Sequence, residues 1–307
     1  MLRILPSAKI VAFAAIVGAL ASASIVLVRD APLDSLQALT TSAVLSPLVL
    51  AAWRGLVLVF ILAVLAWLAL DRQGTPALGN SALDRKPVPI VMLGYLRFST
   101  FTVWGFIMQA IYFASTLFLQ YAQASFPEIF SGNQILSHFP NLVYILYEIS
   151  FAVSLLITSC VTYVLIPASV AAGLKYESFY TTAALIMHNV NVFTMMIELI
   201  FNNVQRFHPA HMPYIILYGL FYVVFAWTFA YFNGFYFYFF INPRFPRVIL
   251  SHIALLTALS VFFFLGYFVT SYLNPREHVY APPILLLGTL LICKWRRPAP
   301  LDSNKDK

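Results

Sequence analysis

The chain has 307 residues, of which 61% are hydrophobic, 16% aromatic and only 9% charged, with a mean hydropathy of +0.85. Soluble domains carry about 25% charged residues, so a water-soluble fold is excluded. The net charge of +7 needs no nucleic acid, because an oriented membrane protein gathers lysine and arginine on its cytosolic rim and touches anionic lipid there.

A hydrocarbon core of about 30 Å takes about 20 apolar residues in helical form. Seven continuous runs reach that length, at 10–28, 47–70, 98–121, 141–168, 179–200, 213–240 and 248–272. An eighth, 280–293, is shorter, contains Pro282 and Pro283, and is predicted as a last span with a proline-bent start. None alternates in polarity at period two, which argues against a β-barrel. The predicted fold is all-α, a polytopic transmembrane bundle of about eight spans.

The first run has a basic start, apolar character from Ile10 and alanines at Ala19–Ala23, all features of a cleavable signal peptide. Its apolar character continues through Ile25–Val28, the length of a span, and it is read as a retained anchor. The stretch 71–89 is the least apolar, rich in turn formers and charges, and reads as a cytosolic loop. It closes an N-terminal two-helix hairpin, residues 1–90, ahead of a core-like domain at 91–275 and a short span with a basic tail at 276–307. The 122–140 loop, holding Glu128, Asn133 and His138, is placed outside, and the tail from Arg296 to Lys307 reads as disordered. The other loops are short, so consecutive helices are expected as antiparallel neighbours. No internal repeat is evident, which weakens a transporter built on inverted repeats. Cys160 and Cys293 fall in or beside separate spans and cannot supply a disulfide framework or a cysteine zinc site.

Basic residues set the orientation. With the N-terminus cytosolic, Arg29, Arg54, Arg206 and Arg276 lie outside and the rest of the 18 lysines and arginines lie inside. Dropping the eighth span would move Lys294, Arg296, Arg297, Lys305 and Lys307 outside and erase the bias. Both termini are therefore expected in the cytosol.

Ionisable side chains at membrane depth face the bundle interior. In 179–200, His188, Asn191, Met195 and Glu198 share one helical face; in 98–121, Thr102 and Gln109 share a stripe, with Gly105 near enough for close helix approach. Counted from the inner ends, Thr102 lies roughly 7 Å and His188 roughly 12 Å into the membrane, so a hydroxyl and an imidazole can meet there. Such a pair suits acyl transfer, the histidine taking the proton of a hydroxyl that is otherwise a poor nucleophile. Asn191 and Gln109 are candidates for orienting the ring or holding the oxyanion. The plain alternatives are a histidine bonded to a neighbouring helix and a threonine bonded to its own backbone. Glu148, Glu198, Arg54 and Arg206 read as an ion-paired or snorkelling outer rim, with a proton relay as the functional alternative. His208 and His211, in FHPAHMP, have no carboxylate near them in sequence, so an interfacial loop is expected and no metal site. The aromatic run 233–243 reads as packing and an interfacial belt.

These motifs, in this order, resemble a known family: the androgen-induced-gene proteins, with the androgen-dependent regulator of tissue factor pathway inhibitor, and more distantly the rolling-stone proteins. The resemblance covers roughly 95–272 and rests on TVWGFIMQAIYF, MHNVNVFTMMIE, HPAHMPY and NGFYFYFF. It implies a six-helix core and an integral membrane hydrolase of fatty acid esters of hydroxy fatty acids, with Thr102 and His188 in the catalytic positions and no cofactor. The partners it implies are the bilayer and a fatty-acyl ester. The chain departs from the pattern at Leu185, where several members carry a second histidine, at Tyr238-Phe239 in place of a Tyr-Pro pair, and at Asn189, which is closer to rolling-stone proteins. The rival readings are a non-catalytic rolling-stone-like membrane protein in signalling or membrane organisation, and a transporter.

Overall fold

The computed structural model describes residues 6–27, 35–132, 134–174 and 176–296. Asn133, the tail from Arg297 and the basic residues Arg3, Arg29, Lys175, Arg297, Lys305 and Lys307 used in the orientation lie outside the described residues. The protein is a polytopic helical bundle, and among the described residues seven helices are long and apolar enough to cross a membrane. They are α1 (Ala8–Leu27), α2 (Pro47–Leu70), α3 (Phe101–Ser125), α4 (Phe139–Ala171), α5 (Thr182–Phe201), α6 (Met212–Asn233) and α7 (Val248–Tyr272). A shorter apolar helix, α8 (Ala281–Ile292), follows. Its 12 residues rise about 18 Å, too little to cross a core of about 30 Å unaided.

The helix ends follow local chemistry. Ser46 caps α2, accepting from the Val49 amide, with Pro47 at the first helical position. Thr100 caps α3 by accepting from Val103, so the helix opens four residues after Arg97 and puts Thr102 in its first turn. α6 stops at Asn233 rather than running to 240, because Gly234 takes a left-handed φ of 80° that glycine adopts without steric cost.

α4 is the centre of the bundle and packs against α3, α5, α6 and α7. It is the most enclosed of the spans, and its 33 residues make it longer than a membrane core requires. Gly105 brings α3 close to it: a Cβ there would stand 2.6 Å from Ile157 Cδ1. The two helices expected as an N-terminal hairpin separate in packing, α1 lying along α6 and α2 along α3, while α8 lies along α5.

The 71–89 stretch departs from the expected plain loop. Its strands β1 (Thr75–Ser81) and β2 (Pro87–Met92) pair antiparallel from Thr75 opposite Met92 to Asn80 opposite Pro87. A third strand, β3 (Phe235–Tyr236), joins the other edge of β1, with Asn80 opposite Tyr236. This small sheet covers the end of the bundle where α3 and α5 begin, here termed the cavity end.

The opposite end is closed by polar side chains. The expected rim is buried: Arg54 and Glu198 are both fully enclosed, with Arg54 Nη2 2.7 Å from Glu198 Oε1. The Tyr112 hydroxyl and the Trp53 indole also donate to Glu198, while Arg54 donates to the Leu39 carbonyl and Gln120. These contacts give each desolvated charge the partners that burial demands. Glu148 is likewise buried, against His211 Nδ1 at 2.6 Å, and accepts from the His208 amide. The FHPAHMP loop is thus an internal anchor. It does find a carboxylate, contributed by α4. Arg206 stacks on the Tyr267 ring at 4.4 Å.

Candidate functional site

Thr102 and His188 border one cavity of about 450 Å³ at the cavity end of the bundle. Its walls come from the starts of α3 and α5, the far end of α4, the β1–β2 hairpin and the segment after α6. Two local irregularities shape it. α4 widens into a π-helical turn at Val161–Leu165, one residue short of Pro167, whose ring and missing amide disfavour a regular turn. α5 widens in the same way at Ile186–Val190, and the freed carbonyl of His188 accepts from the Thr158 hydroxyl of α4. The irregularity falls on the candidate base itself, and single π turns are frequent at functional sites.

His188 is half-buried, with its ring 6.3 Å from that of Phe179 and its Nδ1 enclosed without a hydrogen-bond partner among the described residues. Thr102 is buried and faces Tyr238, whose hydroxyl also lies by the first backbone amides of α3, those of Phe101 and Thr102. Burial pushes the Tyr238 phenol up to about 12, with Thr102 and the two amides acting in the opposite direction. The phenol therefore stays protonated at neutral pH and can donate. Tyr238 lies in the aromatic run that the sequence assigned to packing; its position four residues after a stop-signal glycine was the available clue.

Gln109 and Asn191 are brought to each other, not to the cavity. Gln109 donates to the Asn191 carbonyl and accepts from Thr194, while the Asn191 side chain accepts from Thr158. This set ties α3, α4 and α5 together, and neither residue lines the cavity wall. No family model, curated protein or solved structure matches the chain.

Two arginines reach the cavity. Arg97 is spent: it pairs with Asp71 at the end of α2 and donates to the carbonyls of Leu68 and Met92. The hydrogen bond from Arg97 holds the Asp71 carboxyl below its usual range. Arg85, at the tip of the hairpin, is exposed and has no ion pair among the described residues. A second, narrow cavity of about 80 Å³ lies between α1, α4, α6 and α7. The two cavities share Thr102, Val161, Leu165 and Tyr238 as wall residues.

Proposed function

We propose that this membrane protein hydrolyses lipid esters, with fatty acid esters of hydroxy fatty acids as the leading substrate class and membership of the androgen-induced-gene family as the underlying relationship. The observation that carries this reading is that Thr102 and His188, 86 positions apart in the sequence, border the same cavity. In the proposed reaction the Thr102 oxygen attacks the ester carbonyl while His188 takes its proton. Tyr238 and the first amides of α3 supply donors where negative charge develops on the carbonyl oxygen. The alkoxide leaves with the proton from His188, and water then cleaves the acyl-threonine by the same base. Gln109 and Asn191 fix the spacing of α3, α4 and α5 rather than touch substrate. The N-terminus is placed in the cytosol, which puts the cavity at the cytosolic end.

The test is hydrolysis of such an ester by the purified protein. Thr102→Ala and His188→Ala should each abolish turnover while abundance in the membrane holds. Full activity in either variant would remove the mechanism. A second reading rests on the unpartnered Nδ1 of His188, since a catalytic histidine is ordinarily oriented through that nitrogen. On it the polar residues are structural and the protein is non-catalytic, as in a rolling-stone-like role. It predicts no turnover in wild type and no labelling of Thr102 by acylating lipid-hydrolase probes.

A further inference from the structure

The two cavities differ in chemistry and share Thr102 and Tyr238 as wall residues. The larger one carries polar groups from the hairpin and from the starts of α3 and α5, including Asn80, Arg85, Thr181 and His188. Among the described residues that line it none is acidic, and Arg85 is the cation not already paired. The narrow cavity is bounded almost wholly by aliphatic and aromatic side chains, such as Leu156, Leu255 and Leu259, with Cys160 in its wall. Its small volume of about 80 Å³ and apolar walls suit the end of an acyl chain and not a charged headgroup.

Arg85 is also held in an unusual backbone conformation. Its φ is +64°, a left-handed state in which asparagine or glycine would sit with less strain. The hairpin therefore keeps a charged side chain at a turn position where an uncharged residue would be more comfortable.

We propose that the paired cavities form a divided site for a single-chain amphiphile with an anionic head, in which Arg85 receives the head and the narrow cavity receives the far end of the chain. The assignment rests on the reading that this site accepts an acyl compound, and it names the recognition residue and the direction in which the chain lies. The shared chemistry is an anionic head on one aliphatic chain, supplied either by the carboxylate of a fatty acid or by the phosphate of an alkyl phosphate.

The experiment measures binding to the full chain in phosphatidylcholine nanodiscs at alkaline pH, using hexadecanoic acid, hexadecyl phosphate and hexadecanol. None contains a carboxylic ester bond, so binding stands or falls independently of hydrolysis. Wild type should bind at least one anionic compound about tenfold more tightly than hexadecanol, in keeping with a charge-assisted hydrogen bond. The tighter of the two anions identifies the head as carboxylate or phosphate. Arg85→Gly should remove that advantage without lowering the unfolding temperature, because glycine relieves the left-handed turn; Arg85→Lys should keep part of it. In a Cys293→Ser background, hexadecanoic acid or hexadecyl phosphate should shield Cys160 from a membrane-permeant maleimide, while octanoic acid and octyl phosphate should not. Equal binding of hexadecanol and both anions, or retention of the preference by Arg85→Gly, overturns the role of Arg85. Unshielded Cys160 with the long-chain anion bound overturns the chain direction.

Discussion

A single hydroxyl separates the two readings of the site. Thr102→Ser retains that hydroxyl and should retain measurable turnover, whereas Thr102→Val keeps the shape and should have none; an active valine variant would make Thr102 a packing residue. The Arg54–Glu198 pair offers a stability test of another kind. Arg54→Met alone leaves Glu198 buried without its partner and should cost about 3–5 kcal/mol, while adding Glu198→Leu should recover much of the loss. Thermal unfolding of wild type and these two variants in one detergent measures both. At this scale the sequence was only partly legible. Helical periodicity placed His188 and Glu198 on an inward face, but it could not say that Glu198 finds Arg54 from α2, because that pairing depends on how α2 docks. Tyr238 stayed hidden because an aromatic run reads alike whether it meets lipid or a buried threonine.

At the level of helices and strands, hydropathy was a good guide where burial was all that mattered. The runs 47–70 and 248–272 match α2 and α7 at both ends. The run 213–240 overshot, since hydropathy scores residues 235–240 as span while Gly234 has already ended the helix. The hairpin was missed because its strands are short and contain Pro76, Pro87 and Pro89, which weaken any strand signal. The packing of α3 on α4 leads to a prediction. Gly105→Val would drive its side chain into Ile157 and Val153, whose nearest atoms stand 2.6 and 3.0 Å from the Cβ position. It should destabilise the bundle by about 1–3 kcal/mol and impair Thr102 three residues away, read as a lower unfolding temperature together with lower turnover. The link between the end of α2 and the start of α3 is sensitive to pH. The Asp71 carboxyl is held below its usual range, mainly by the hydrogen bond from Arg97. Its stabilising effect is therefore complete above the unfolded value of about 3.9 and lost as pH falls through the lowered folded value. Asp71→Asn should flatten the acid side of an unfolding-temperature profile and leave its alkaline side unchanged.

For the whole molecule, the placement of the cavity end in the cytosol can be checked directly. A glycosylation acceptor inserted in 122–140 should be modified and one in 71–89 should not; the opposite pattern would reverse the orientation and put the cavity on the far side. The bundle joins a polar, closed end to an open one through the central α4, which explains how deep polar groups coexist with a composition so poor in charge. The buried Arg54–Glu198 pair also constrains how the protein is made. The partners are 144 residues apart, so at about 5–20 residues per second a ribosome delivers α2 roughly 7–30 s before the counter-charge arrives. During that interval a lone arginine costs up to about 2.5–3.5 kcal/mol, the value for a helix centre, set against a span whose mean hydropathy is 2.6 with Arg54 included. Nascent chains halted before α5 should therefore crosslink through α2 to the insertion machinery or its membrane chaperones, and chains extended past Glu198 should be released. Retention of that kind would make the distance along the message between two codons the timer of a waiting step in biogenesis.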